Sequence, residues 1–371
     1  MSRITHMSVY IAELGVQTPR HHGVGSVEGG IDNVFVQLKD ADGRSGWGEA
    51  SPWPVFTGTA EAAAGALDKH FRPFVVGQPA ADVAKIMVKV NKAVARSPEA
   101  KAALEMALYD LYGQQCGLPV SELLGGRVRD EIPLSISIAD PDFGRDRELA
   151  KRATDDGIRI FKIKTGFAEH DFDLMRLEEL RANFPDVDIR VDYNQGLVSH
   201  EALPRLRDIA TFKPTFIEQP VPADNWQAMA AITAALDVPI MADESVFNVV
   251  DAFRAAEARI ADLFSIKIMK SGGMRAAQDV AAVGKAVGIG CYGGDMFESG
   301  LAHLAGTHMI AATENISLGC EFYQARYYLT EDILEEPFAC DNGKVQVPTA
   351  SGLGVAVNEN KVRAKATAIR E

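Results

Sequence analysis

The chain has 371 residues, enough for a large buried core and two domains, and its 51 acidic against 38 basic side chains leave a net charge of −13 that argues against nucleic-acid binding. Four widely spaced cysteines, Cys116, Cys291, Cys320 and Cys340, form no CxxC or Cys/His cluster, so neither a zinc site nor a disulfide framework is expected and a cytoplasmic location with reduced thiols is. No apolar run approaches the roughly 20 residues of a membrane span, and Met1-Ser-Arg-Ile-Thr-His6 lacks a long apolar segment, so a soluble, unexported protein with no membrane partner is expected.

Residues 1 to 60 read as β-rich. Strand-like runs cover Ile4 to Leu14 and Asn33 to Lys39, and Asp40-Ala-Asp-Gly43 marks a hairpin turn before Gly46-Trp-Gly-Glu49. From 60 to 125 the pattern is helical, with apolar residues at helical spacing over Glu99 to Gly113. After Gly125-Gly126 strands and helices alternate through residue 321. Runs at Ile132 to Ile138, Gly288 to Met296 and Ile316 to Glu321 join five others to make eight strands. Eight strands favour a closed parallel barrel over an open doubly wound sheet. The expected division is a three-strand, several-helix α+β domain over 1–126, a barrel over 127–330, and a segment 331–371, rich in Pro and Gly and without a strong terminal helix, that packs back on the first domain.

Five barrel runs end in charged residues. Lys164, Asp192, Glu218, Asp243 and Lys267 stand 28, 26, 25 and 24 residues apart, a spacing that suits one strand, one helix and two short loops. C-terminal ends of parallel strands converge on one face of a barrel, so these five side chains should meet. Magnesium takes hard oxygen ligands in near-octahedral geometry, and three single carboxylates, Asp192, Glu218 and Asp243, leave three positions open for a substrate carboxylate and water. Isolated acids at strand ends merely cap helices or pair with Arg and Lys, but three in consecutive strands flanked by lysines fit a metal site better.

Lys162 and Lys164 are two apart on one strand and share a face. An unperturbed lysine needs about 4.6 kcal/mol to act as a free base at pH 7, and a second ammonium beside it offsets part of that cost. Lys162 is thus the expected tuner and Lys164 the expected base, with Lys267 facing Lys164 across the barrel mouth. Alternation places Lys267 and Met269 on one face, opposite Lys270. These groups suit one task. A cation acidifies the proton α to a bound carboxylate, a lysine moves that proton, and the cation stabilises the enediolate.

The stretches Ala107-Leu-Tyr-Asp-Leu-Tyr-Gly113, Gly117-Leu-Pro119, Leu123-Leu-Gly-Gly126, Lys162-Ile-Lys164, Asp192-Tyr-Asn194, Glu218-Gln-Pro220, Asp243-Glu-Ser245, Lys267-Ile-Met-Lys270-Ser-Gly-Gly273 and Gly352-Leu-Gly354 carry a resemblance over nearly the full length. The chain resembles the enolase superfamily, and within it the muconate cycloisomerase (muconate-lactonising) subgroup. The resemblance implies a modified TIM barrel, (β/α)7β, under an N-terminal α+β capping domain. It also implies magnesium or manganese at Asp192, Glu218 and Asp243, acid/base lysines at Lys164 and Lys267, and a homo-oligomer, often an octamer. The mandelate racemase branch matches less well, since it uses a His/Asp pair where this chain has Lys267 and Tyr292-Gly-Gly-Asp295.

The last strand reads Gly319-Cys-Glu321-Phe-Tyr323, similar to the Glu-x-aromatic ending of cycloisomerases rather than the Asp-x-Asp of dipeptide epimerases. Glu321 joins the catalytic set on that basis. Asn194, Asp295, Tyr323 and Trp53 are expected to contact a small carboxylate substrate. Asp295 departs from the uncharged hydroxyl residue usual in cycloisomerases and either repels a dicarboxylate or recruits an amine. The expected reaction is interconversion of cis,cis-muconate and muconolactone, as in aromatic catabolism. The alternatives are a racemase, epimerase or dehydratase of an N-substituted amino acid, proline derivative or dipeptide, and a non-catalytic metal-binding barrel. His21-His22 and Trp53-Pro-Val-Phe56 are candidates to lid the barrel, and His303 is expected to be structural.

Overall fold

A computed structural model of the protein describes residues 2–371. Strands β1 (Ile4–Gly15), β2 (Gly30–Asp40) and β3 (Ser45–Ala50) pair antiparallel. The β2–β3 turn closes as its residue types dictate: Asp40 Oδ1 accepts from the backbone N–H groups of Asp42 and Arg44 at 3.0 and 2.9 Å, and Gly43 takes φ +84°. The 19-residue helix Pro98–Cys116 lies against β3. Gly48 permits that approach, since a Cβ there would stand 1.9 Å from the Ala103 carbonyl oxygen.

The sheet has four strands, not the three expected. Ala366–Arg370 pairs antiparallel with β1, and it follows a helix, Glu359–Lys365, capped by Asn358 accepting from the N–H of Lys361. Five residues of weak alternation at the end of a polar helix carry little strand signal, and long-range pairing with β1 decides their state.

Strands β4 (Ser135–Ile138), β5 (Ile160–Lys164), β6 (Asp188–Asp192), β7 (Ile217–Glu218), β8 (Ile240–Ala242), β9 (Leu263–Ile266), β10 (Gly290–Gly293) and β11 (Ile316–Cys320) form one parallel sheet in sequential order. Its ends meet at the Leu134–Cys320 bridge, where Ser135 Oγ donates to the Cys320 carbonyl at 2.9 Å. Seven helical connections join the eight strands, the one after β9 holding a single extra turn, and give the (β/α)7β barrel. The expected first run is split: Glu131–Pro133 leaves the barrel to pair antiparallel with Lys344–Gln346, and only Ser135–Ile138 is barrel strand. Inside the barrel, Phe216, Met241 and Tyr292 pack as an apolar floor, with the Arg190 guanidinium 5.1 Å from the Phe216 ring centre and 4.9 Å from that of Tyr292.

Candidate active site

Parallel register brings the strand-end residues level. Lys164 pairs with Asp192 across β5–β6, and Asp192 with Glu218 across β6–β7, while Asp243 follows β8 directly. All three carboxylates are fully buried. Tight turns hold them: Asn194 and Gln219 take φ +40° and +32°, a left-handed conformation that costs non-glycine residues energy and is kept here by hydrogen bonds. Gln219 Oε1 accepts from the N–H of Asp243 at 3.0 Å and of Ser245 at 3.2 Å, tying the end of β7 to that of β8.

Lys162 Nζ stands 3.0 Å from Asp192 Oδ2 and 2.8 Å from both Glu218 Oε2 and Glu321 Oε2. Burial alone would pull its pKa down, but the charges of Asp192, Glu218 and Glu321 outweigh it and hold the ammonium well above its ordinary range. The nearest charges to Lys162 are therefore three carboxylates, a different setting from the simple lysine pair expected. Lys164 Nζ donates to Asp192 Oδ2 at 2.6 Å and Asn194 Oδ1 at 3.1 Å. Lys267 Nζ donates to Asp243 Oδ2 at 2.6 Å.

Lys270 differs from expectation. The strand stops at Ile266, and a single helical turn, Ile268–Ser271, swings Lys270 Nζ back to within 2.7 Å of both Asp243 Oδ1 and the Asp243 carbonyl. Strand alternation does not apply beyond the last ladder bond.

Lys164 and Lys267 both line one pocket, with Asn194, Asp295, Glu321 and Tyr323 on its barrel side. Its other side comes from distant segments. His22, Trp53 and Phe297 meet edge-to-face at 5.3–5.5 Å between ring centres, and the Phe56 ring lies 5.1 Å from Lys267 Nζ. The open space is about 30 Å³, enough for one or two waters. Trp53, Asn194, Asp295 and Tyr323 are thus gathered in one place with the two lysines.

Residues that sequence reasoning missed include Glu244, Phe297 and Gln324, whereas His22 and Phe56, candidate lid residues, do line the pocket. Glu244 stands beside Asp243 in the sequence and accepts from Asn194 Nδ2 at 3.0 Å; its position in Asp-Glu-Ser was a usable signal. Burial, followed by the charges of Asp243 and Asp192, pushes its carboxyl up to about 8.

The donor set fits a divalent cation. Glu218 Oε1 is buried with no hydrogen-bond partner, and Oε2 meets only the Lys162 ammonium. Burial, and next the charge of Asp192, pushes this carboxyl up to about 7, the signature of acids crowded into a low-dielectric cleft. An oxygen-only set of Asp192, Glu218 and Asp243 is hard-ligand chemistry of the kind magnesium and manganese take.

Comparison with known proteins finds relatives over most of the chain. Residues 6–125 match the mandelate racemase / muconate lactonizing enzyme N-terminal domain, and residues 145–361 the enolase C-terminal domain-like model. Muconate cycloisomerase 1 of Acinetobacter baylyi is 32% identical over 336 residues, 89% of this chain and 90% of that protein. The L-Ala-D/L-Glu epimerase of Bacillus subtilis is 34% identical over 87% of this chain and 89% of its own length. The crystal structure of a muconate cycloisomerase from Azorhizobium caulinodans superposes with a TM-score of 0.86 at 45% identity, covering 99% of both chains. The chain belongs to the enolase superfamily, in the muconate-lactonising branch of the mandelate racemase / muconate lactonizing enzyme family.

Proposed function

We propose that this chain is a muconate cycloisomerase-type enzyme that moves a proton at the carbon α to a substrate carboxylate, interconverting cis,cis-muconate and muconolactone. The observation that carries the reading is the convergence of Lys164 and Lys267, from β5 and the end of β9, on one pocket beside three buried carboxylates. Asp192, Glu218 and Asp243 would hold magnesium or manganese, whose charge acidifies the α-proton and stabilises the negative charge left by its removal.

The rest is done by the chain's own groups. Lys164, steadied by Asp192 and Asn194, and Lys267, steadied by Asp243, each put an ammonium or amine nitrogen at the pocket wall, on opposite faces of a substrate lying between β5 and β9. One lysine delivers the proton to carbon in the lactonising direction and removes it in reverse. Lys162 supports Lys164 electrostatically through their shared partner Asp192, and Glu321 holds Lys162. The Trp53–Phe297–His22 cluster excludes water and so strengthens each charge interaction inside. The functional unit comprises a cap of residues 1–126, a catalytic barrel of 127–330 and a returning segment of 331–371, assembled as a cytoplasmic homo-oligomer, an octamer by analogy with the family.

One observation favours a second reading on the same scaffold. Asp295 and Glu321 present two acids to the pocket, which attract an amine and disfavour a second substrate carboxylate. That reading is a racemase, epimerase or dehydratase of an N-substituted amino acid, proline derivative or dipeptide. Comparison of kcat/KM for cis,cis-muconate with that for N-substituted amino acids and dipeptides separates the two. Efficient turnover of an amine-bearing substrate with no measurable lactonisation overturns the first.

A further inference from the structure

Behind the pocket wall stands a second group of ligand-type side chains that the proton-transfer chemistry does not use. Asp295 and Glu298 lie in the loop between β10 and the helix Gly300–Ala311, and His303 lies on the first turn of that helix. One donor atom from each falls within 4.8 Å of the others, and all three residues are buried. His303 Nε2 is 3.6 Å from Asp295 Oδ2 and 3.8 Å from Glu298 Oε2.

Two further observations point to a ligand. His303 is 0% exposed and neither ring nitrogen has a hydrogen-bond partner, and Asp295 Oδ2 is likewise buried and unpartnered. Unpaired buried polar atoms of this kind cost free energy unless something else satisfies them. Among the described residues no lysine or arginine forms an ion pair with Asp295 or Glu298. The imidazole is also fixed in aim, stacked on Phe322 at 5.2 Å between ring centres with 19° between planes.

We infer that Asp295, Glu298 and His303 form a second cation site, distinct from the Asp192–Glu218–Asp243 set and selective for a transition-metal ion such as manganese or zinc. Donors bound to one ion at about 2.1 Å can stand up to about 4.2 Å apart, so separations of 3.6 and 3.8 Å need little rearrangement. The nitrogen donor sets the preference, because imidazole suits zinc and its neighbours whereas magnesium takes oxygen. Since Asp295 also lines the pocket, an ion here would offset the negative charge of that part of its wall.

The test is metal counting on the full-length protein, stripped with chelator and reloaded with manganese or zinc, together with anomalous scattering from crystals of the same material. Two ions per chain and an anomalous peak within bonding distance of His303 are expected. His303→Gln should lower the count to one while keeping the ion at Asp192, and Asp192→Asn should lower it to one while keeping the ion at His303. One ion per chain in the wild type, with no anomalous density at His303, overturns the inference and leaves Asp295 free for an amine. Should either variant fail to fold, the wild-type anomalous map alone decides. None of these readouts depends on which substrate is turned over.

Discussion

Lys162→Met removes the one ammonium that touches Asp192, Glu218 and Glu321 at 2.8–3.0 Å while keeping an unbranched apolar stem. Breaking a buried ion pair by removing one partner costs about 3–5 kcal/mol, because the remaining charge stays desolvated. An unfolding entropy of about 2.1 cal/mol/K per residue gives about 0.8 kcal/mol/K for a chain of this length, so the metal-free variant should melt about 4–6 °C below wild type. Saturating magnesium restores positive charge beside two of these carboxylates, Asp192 and Glu218. It should recover most of the loss, making the magnesium-induced rise in Tm several degrees larger in the variant than in wild type. Calorimetric scans of both proteins, with chelator and with magnesium, supply all four melting temperatures. Equal Tm values for the two chelated proteins, or equal magnesium-induced shifts, would refute the reasoning that Lys162 and the cation balance the two acids they share, Asp192 and Glu218.

Lys164→Ala and Lys267→Ala should keep their metal, and at least one should lose proton transfer about 10²-fold or more, read as the rate of solvent deuterium exchange into substrate. Full-rate exchange in both would remove the lysines from the mechanism. Activity should vanish on thorough chelation and return with magnesium or manganese, which a turnover assay before and after dialysis checks. His308, which accepts from the Ser121 N–H at 3.2 Å and whose Nε2 stands 3.2 Å from the Leu353 carbonyl, is pushed by burial down to about 4. Its neutral form is the folded one, so its contribution is complete above about pH 6.5, the unfolded value, and falls as pH drops from there toward 4. His308→Gln offers the same carbonyl and amide contacts without titrating, and in denaturant melts wild type should lose up to about 1.4 kcal/mol per pH unit relative to it over that window. Gly48→Ala should destabilise by about 3 kcal/mol or more, since its Cβ would meet the Ala103 carbonyl; an unchanged denaturation midpoint would contradict the packing described.

The barrel and its charged rim were legible because parallel strands impose strict geometry. A spacing near 25 residues and a charged residue at each strand end suffice to place Lys164, Asp192, Glu218, Asp243 and Lys267 on one face, and β5 to β9 obey that rule. Lys270 escaped it because the inference needed β9 to continue past Ile266, and the turn at Ile268–Ser271 changes the period from two to that of a helix. The aromatic wall was half visible. His21-His22 and Trp53-Pro-Val-Phe56 stood out as candidate lids, but nothing local reveals that Phe297, 275 residues from His22, meets His22 and Trp53 over the pocket. His303 read as a structural histidine because its partners Asp295 and Glu298 approach only when the loop after β10 folds back over the helix that carries it.

The most direct test of the central claim is solvent deuterium incorporation, followed by proton NMR, with wild-type enzyme and magnesium in D2O. With muconolactone as substrate, one deuteron should appear at the carbon α to the carboxylate, at a rate abolished by chelation and cut about 10²-fold or more in Lys164→Ala or Lys267→Ala. No α-deuterium in muconolactone or in any N-substituted amino acid or dipeptide, from enzyme shown to hold its metal, would contradict a proton-transfer function for this barrel.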